Sequence, residues 1–282
     1  EDGKTEITFW HYMSEDKEGK YVQEAVEEFN ASQDEIFVNA QYLPREELMK
    51  QYSIGVVSGE LPDCGMVDNP DHNSYISMGV FEDITELFNE WEEANFMEGS
   101  LNSCKYEDKI YGLPWGNNCL GLFYDQDMLD AAGLEVPETW SELEAACEKL
   151  TTDSVKGLAI SAIGNEEGTF QYLPWFLSAG GDVNEVESEA GKESLTFLKN
   201  MVDKGYISKE CVNWTQADAE KQFASGQAAM MINGPWQFSG LEADAPDKNY
   251  GVAKVPMADN GEYASVLGGE NVAICKGANV EA

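Results

Sequence analysis

Three tryptophans of this chain stand directly after proline, where a restricted backbone can present a large ring to a ligand. Trp236 follows Gly234-Pro235 at the end of a small, apolar strand, and Trp175 and Trp115 each follow a proline. Because proline fixes φ, the position of the next ring is restricted as well. The three rings are therefore candidates for stacking on a flat, apolar ligand face. The alternative for each ring is a place in the hydrophobic core.

Polar side chains at predicted strand ends and in a glycine turn could supply the hydrogen bonds of the same site. Binding pockets combine apolar walls with a few placed polar groups. Gly268-Gly269 lets the backbone approach a ligand closely, and Glu270 adds a carboxylate. Each candidate also has a structural alternative, such as a turn or a strand end. The polar candidates are His11, Glu15, Asp68, Asn69, Asn117, Gly269 and Glu270.

The sequence offers little for catalysis, which requires a positioned nucleophile or an acid–base pair. It has no nucleophile elbow, P-loop, zinc-protease helix or dinucleotide fingerprint, and its two histidines are His11 and His72. With 53 Asp and Glu residues, a close carboxylate pair is expected by chance, so a carbohydrate-active hydrolase stays an alternative. The acids between Asp68 and Asp71 do not follow the spacing of an EF-hand loop. We predict no metal site, no cofactor and no enzyme.

The charge balance is strongly acidic, with 53 Asp and Glu against 17 Lys and Arg and a net charge of −36. Nucleic acids and anionic membrane surfaces would be repelled, because both require Lys and Arg on the protein. The acidity is typical of a highly soluble protein, and the alternative is attraction of a cationic solute such as a polyamine. No run of apolar residues is long enough to predict a transmembrane helix.

Six cysteines are scattered along the chain, and none forms a CxxC pair or has a histidine at zinc-ligand spacing. Most lie in apolar or small-residue segments, which favours buried thiols. Cys104 and Cys119 flank a predicted hairpin and are the best candidates for a disulfide bond.

The element order that must position these residues is β-α-β-α-β in the first part of the chain. Predicted strands near residues 7–11, 36–42 and 61–67 alternate with amphipathic helices, which indicates a largely parallel sheet covered on both faces. Ligands bind outside the carboxyl ends of such strands, where His11 and Asp68 follow. A later strand, 250–256, is expected to return to this first domain.

Five ordered segments resemble the extracellular solute-binding proteins of ABC sugar importers, the group that includes maltose-binding protein. They are the first strand with its polar tip, Pro62-Asp63, Tyr111-Gly-Leu-Pro-Trp115, the segment from Gly226 to Trp236, and Gly268 to Ile274. The resemblance implies an α/β fold of two lobes, joined by a hinge, with a ligand cleft between them. The expected lobes are 1–112 with 258–282, and 113–257. Such proteins continue further at the C-terminal end, so the chain is expected to be truncated there.

The same resemblance implies a function for the candidate residues. The protein is expected to bind a carbohydrate, most simply an oligosaccharide, and to deliver it to the membrane permease of an ABC transporter. It is expected to be a monomer, held at the outer face of the cell membrane by a lipid anchor or free in the periplasm. Aromatic rings would cover the apolar face of a sugar, and the polar candidates would bind its hydroxyls. A protein that binds a polyamine or another cationic solute is the alternative.

Overall fold

The computed structural model describes residues 3–14, 18–91 and 94–282. The chain divides into two compact units, Glu1–Asn118 with Leu267–Ala282 and Cys119–Val266. Each unit has its own sheet with helices packed on it, so the predicted α/β class is confirmed. The expected lobe boundaries, after residues 112 and 257, lie earlier in the chain than the observed changes of unit.

Strands are numbered along the chain, and each lies within one unit. Their bounds are β1 Thr5–His11, β2 Ile36–Tyr42, β3 Cys64–Asp68, β4 Lys105–Tyr106, β5 Lys109–Ile110, β6 Leu113–Asn118, β7 Gly121–Asp125, β8 Lys156–Ala159, β9 Ala228–Asn233, β10 Tyr250–Ala253 and β11 Gly268–Ile274.

Helices alternate with these strands. Their bounds are α1 Gly19–Ser32, α2 Arg45–Ser58, α3 Asn69–Ser77, α4 Thr85–Glu90, α5 Glu98–Ser103, α6 Gln126–Ala132, α7 Trp140–Leu150, α8 Glu166–Ser178, α9 Glu189–Asp203, α10 Gln216–Ala224 and α11 Phe238–Asp244, with short 3₁₀ turns at Lys209–Asn213 and Pro235–Gln237. No helix within the described ranges is long and apolar enough to cross a membrane.

The sheet of the first unit has the order β2-β1-β3-β11-β6. Strand β1 runs parallel to β2 and β3, whereas β11 is antiparallel to both β3 and β6. Alternation along β1 buries Phe9 with Val22 and Met66 on one face of the sheet, while Leu48 and Tyr52 cover the other. Strand β6 belongs to this unit because it pairs with β11, which explains why the first boundary lies after Asn118.

The sheet of the second unit has the order β10-β7-β9-β8. Strand β9 is buried along its whole length, which its small and apolar side chains allow. Helix α10 leads into β9 and begins with a capping box between Thr215 and Asp218. The prediction that the strand near residue 250 returns to the first unit is wrong. Strand β10 pairs with β7, and the chain re-enters the first unit at Leu267.

All six cysteines lie in described segments, and all are free. The predicted disulfide between Cys104 and Cys119 is therefore wrong: Cys104 is fully buried, whereas Cys119 is exposed. Cys104, Cys147, Cys211 and Cys275 are buried thiols, as the apolar sequence context predicts. Burial raises the pKa of the Cys64 thiol to about 11 and that of Cys104 to about 12, so neither is a ready nucleophile.

Candidate functional site

Two carboxyl groups meet where strand β3 ends, at the edge of the first unit's sheet that is formed by the ends of its strands. Asp68 ends β3, and Glu270 stands directly opposite it on the antiparallel strand β11. Both side chains are largely buried. Because residues that face each other across antiparallel strands have neighbouring side chains, this register alone brings the two carboxyl groups together.

Glycine is required beside this pair. Gly269 adopts φ +127°, and a Cβ atom there would lie 2.0 Å from the carbonyl oxygen of Gly116 on β6. The missing side chain thus allows β11 and β6 to approach closely, where the pairing shifts between Glu270 and Asn271. Asn117 lies opposite Gly269 on β6 and is exposed. The structure therefore brings Asp68, Gly269, Glu270 and Asn117 to one edge.

Arg45, at the start of α2, gives this edge its positive charge. Its Nη2 and Nε atoms donate to Asp68 Oδ2 at 2.9 and 3.2 Å, and Nη2 donates to Asp71 Oδ2 at 2.9 Å. It is the single arginine of the sequence. Sequence reasoning missed Arg45 as a site residue, although a lone arginine among so many acids was a usable signal.

The two opposed carboxyl groups differ in their electrostatics. Burial raises the pKa of Asp68, and Arg45 opposes that rise. Burial also raises the pKa of Glu270, to about 8, with further increases from Asp68 and Glu18. Glu270 is thus largely protonated at neutral pH, while Asp68 has a cationic partner.

Two buried polar atoms beside the carboxyl pair have no hydrogen-bond partner among the described residues. They are the Tyr12 hydroxyl, just after β1, and Asn69 Oδ1, at the start of α3. Burial, followed by the charges of Asp68 and Glu270, holds the pKa of Tyr12 well above its usual value. Buried polar groups are normally paired, so these atoms are candidates for hydrogen bonds to a ligand or water. Asn69 was predicted from sequence, whereas Tyr12 was not.

An aromatic row extends from β6 across β1. Trp115 is 45% exposed, and its ring centroid lies 6.5 Å from that of Phe9. Phe9 in turn stacks with His11 at 5.8 Å. His11 is buried, which lowers its pKa, and it lines a groove of about 690 Å³ beside α1 and β2. Trp115 therefore keeps an accessible ring. The predicted candidate Glu15 lies outside the described residues.

In the second unit, Trp236 occupies a short 3₁₀ turn after β9. Its ring lies over Gly234, where a Cβ atom would be 2.0 Å from the ring. Phe170, on α8, lies 6.3 Å away between ring centroids. Both rings are partly buried and pack on the core of this unit. The predicted turn therefore fixes Trp236 in position. Phe170 was missed, because its apolar helix was interpreted only as core.

Trp175 is placed differently, and the structure corrects its prediction as a ring that stacks on a ligand. It is fully buried in α8, with ring centroids 5.8 Å from Phe197 and 6.3 Å from Trp140. No face of the ring is open to a ligand. The proline before it lies inside the helix, so it does not create a turn.

A second feature of this unit is an apolar cavity of about 530 Å³ next to the Trp236 turn. Gly234 and Pro235 line it together with the rings of Phe123, Phe238 and Tyr263. Within the described residues, no group of three or more His, Cys, Asp or Glu side chains could hold a metal ion. The apolar lining of the cavity therefore favours contact with an apolar part of a ligand.

A family model described as bacterial extracellular solute-binding protein matches residues 24–282. The chain belongs to this family. The family is one of binding proteins that act outside the cytoplasm, which agrees with the placed rings and hydrogen-bonding groups on each unit.

Relatives and solved structures agree with this assignment. A Brucella abortus protein, named as a binding protein, is 24% identical over 269 residues, which is 92% of this chain but 64% of that protein's length. The GacH receptor of Streptomyces glaucescens, solved unliganded and with acarbose, matches with a TM-score of 0.83 and 26% identity over 98% of this chain and 72% of its own. An ABC transporter solute-binding protein from Thermotoga lettingae, bound to α-D-tagatose, matches with a TM-score of 0.85 and 26% identity, over 98% of this chain and 74% of its own.

Proposed function

We propose that this protein binds a carbohydrate, with an oligosaccharide as the first expectation, and serves as the substrate-binding component of an ABC transporter. The sugar would be delivered to the membrane permease, and the protein would act as a monomer without catalysis. A lipid anchor or the periplasm would keep it outside the cytoplasm. Similar proteins solved with acarbose and with α-D-tagatose support the sugar class.

The observation that carries this proposal is the fixed ring of Trp236, held on Gly234 beside Phe170. The C–H face of a pyranose is apolar and flat, and an aromatic plane that is already in position loses little conformational entropy on stacking. In the first unit, Asp68, Asn69, Asn117, Glu270 and Tyr12 would bind the hydroxyls. Trp115 would add a second ring.

A cationic solute is less well supported by the local charges. A polyamine site needs ionised carboxylates, but Asp68 is paired with Arg45 and the pKa of Glu270 is raised to about 8. The overall charge of −36 is therefore not concentrated as free carboxylate at this edge. The comparisons also point to sugars.

The test measures the melting temperature and tryptophan fluorescence of the protein with maltose, maltotriose, acarbose, D-tagatose and spermidine. A ligand in excess over its Kd raises stability. We expect a saturable shift with at least one sugar. Trp236→Ala should weaken that binding by roughly 10- to 100-fold, on the scale of an interface hot spot.

Trp91→Ala is the control, because it removes a tryptophan ring that is not a ligand candidate, is 46% exposed and packs on Phe96 in the other unit. Binding should be unchanged in this variant. A shift with spermidine alone would contradict the sugar proposal, and steady turnover of a saccharide would contradict the absence of catalysis.

A further inference from the structure

The opposed carboxyl groups Asp68 and Glu270 are close in space but have different partners. Asp68 accepts two N–H donors from Arg45. For Glu270, burial and the charges of Asp68 and Glu18 raise the pKa, whereas a backbone hydrogen bond and, more weakly, Arg45 lower it. Asp68 thus has a cationic partner within hydrogen-bond distance, whereas the stronger influences on Glu270 disfavour its anion.

The described groups that surround Glu270 come from several elements. Asp68 lies on β3, Arg45 on α2, Tyr12 after β1 and Glu18 before α1. Arg45 also binds Asp71 on α3. On the remaining side, β6 presents Trp115 and Gly116, which carry no charge. Two acidic side chains, those of Asp68 and Glu18, therefore act on Glu270 against one guanidinium, and burial adds to the effect of the acids. Both causes favour a neutral carboxyl group.

We propose that Glu270 binds the ligand as a neutral carboxylic acid, which donates a hydrogen bond to an acceptor oxygen of the sugar, and that ionisation of Glu270 weakens binding. This inference rests on the proposed function. It assigns to the Asp68–Glu270 pair a division of roles at the edge of one sheet.

The chemistry of a sugar suits such a division. Ring and glycosidic oxygens only accept hydrogen bonds, whereas hydroxyls both donate and accept. An ionised carboxylate only accepts, but a protonated one carries an O–H donor. Asp68 therefore supplies the acceptor for a hydroxyl, and Glu270 supplies the donor that a ring or glycosidic oxygen needs. An ionised Glu270 would place lone pairs against lone pairs.

The experiment measures the affinity of the full chain for maltose, maltotriose and D-tagatose by calorimetry, from about pH 6 to about pH 10. These sugars are neutral throughout the range, so any pH dependence belongs to the protein. We expect affinity to be constant below the titration of Glu270 and then to fall by about tenfold for each further pH unit.

Glu270→Gln is the matched variant, because its amide donates and accepts at every pH. Whatever its affinity near pH 6, this variant should show a flat profile up to pH 10, because no group at position 270 can ionise. In Asp68→Asn, the midpoint of the profile should lie at lower pH than in the wild type, because the charge of Asp68 raises the pKa of Glu270. A wild-type profile that is flat, or that matches the profile of Glu270→Gln, would overturn the inference and leave the proposed function intact.

A second measurement does not depend on variant folding. Carbon-13 NMR of glutamate side chains in the ligand-free protein should show one carboxyl group titrating near 8, the value to which the pKa of Glu270 is raised. If every glutamate titrates below about pH 6, the inference is overturned. If no sugar of the binding panel, acarbose included, binds at any pH, the proposed function and this inference fall together.

Discussion

The two units differ in the groups that they offer to a ligand. The first unit offers hydrogen-bonding groups that are buried and incompletely paired, at the edge where Asp68 faces Glu270. The second offers an aromatic ring that is fixed by the backbone, since Trp236 lies over Gly234. Buried polar groups cost free energy until a partner arrives, whereas a packed ring does not. If the proposed function holds, affinity should depend on charge state in the first unit and on ring position in the second.

The largest expected effect is a loss of stability in Trp175→Ala, although Trp175 follows a proline as Trp236 does. Trp175→Ala removes a fully buried ring from the core of the second unit and should destabilise it by about 3–5 kcal/mol. Urea unfolding followed by circular dichroism measures this loss. If the variant keeps its stability but loses sugar binding, Trp175 is a ligand residue and does not differ in role from Trp236.

The next effect tests the buried acid of the first unit. The folded-state pKa of Glu270 is about 8 and its ordinary value is 4.5, so the folded state binds more protons between these values. The wild-type protein should therefore lose more stability than Glu270→Gln as pH rises through this window. The difference should grow to roughly 2–4 kcal/mol in favour of the variant above pH 8.

Denaturant unfolding of both proteins at a series of pH values measures this difference. Glu262→Gln, at an exposed position, is the control, and its stability should differ from that of the wild type by a constant amount across the pH series. A constant difference between Glu270→Gln and the wild type would mean that Glu270 titrates normally, and the two units would then differ less than we infer.

A smaller effect is expected from moving the ring of Trp236 without removing it. Gly234 has φ −119°, which alanine can adopt, but the added Cβ would lie 2.0 Å from the ring. Gly234→Ala should displace Trp236 and weaken sugar binding by about 5- to 50-fold. Calorimetry with the sugar found in the binding panel measures the change. Unchanged affinity would show that the position of this ring does not matter.

The smallest of the four effects concerns Arg45. Its side chain is about a third exposed, so part of the charge interaction with Asp68 and Asp71 is screened by solvent. Arg45→Met should cost about 1–2 kcal/mol of stability. Lys199→Met, in an exposed pair with Asp203, is the control and should cost almost nothing. Equal losses in the two variants would argue against a special role for Arg45.

Local sequence patterns predict the elements of this chain well. Strand β2 occupies the predicted range Ile36–Tyr42, and helix α2, Arg45–Ser58, follows it as the predicted order of elements requires. The rule that ligands bind at the carboxyl ends of parallel strands leads to Asp68 and Asn69. These signals work because they depend on neighbours within a few residues.

Features that depend on distant contacts are harder to predict. The same Pro-Trp pair lies in a turn at Trp236 and inside a buried helix at Trp175, and only tertiary packing distinguishes them. The membership of β6 and β10 in their sheets depends on partners far along the chain. Tyr12 and Arg45 also become candidate site residues only through their long-range approach to Asp68 and Glu270.

The single arginine of the chain gives an experimental handle on ligand occupancy. A guanidinium-specific reagent such as phenylglyoxal can label Arg45 and no other side chain of its type, and mass spectrometry would read the product as one mass increment on one peptide. The side chain is open enough to react, with 33% of its surface exposed. Protection of that peptide by a sugar would therefore report binding at the first unit's edge, in crude mixtures and without a fluorophore or an engineered tag.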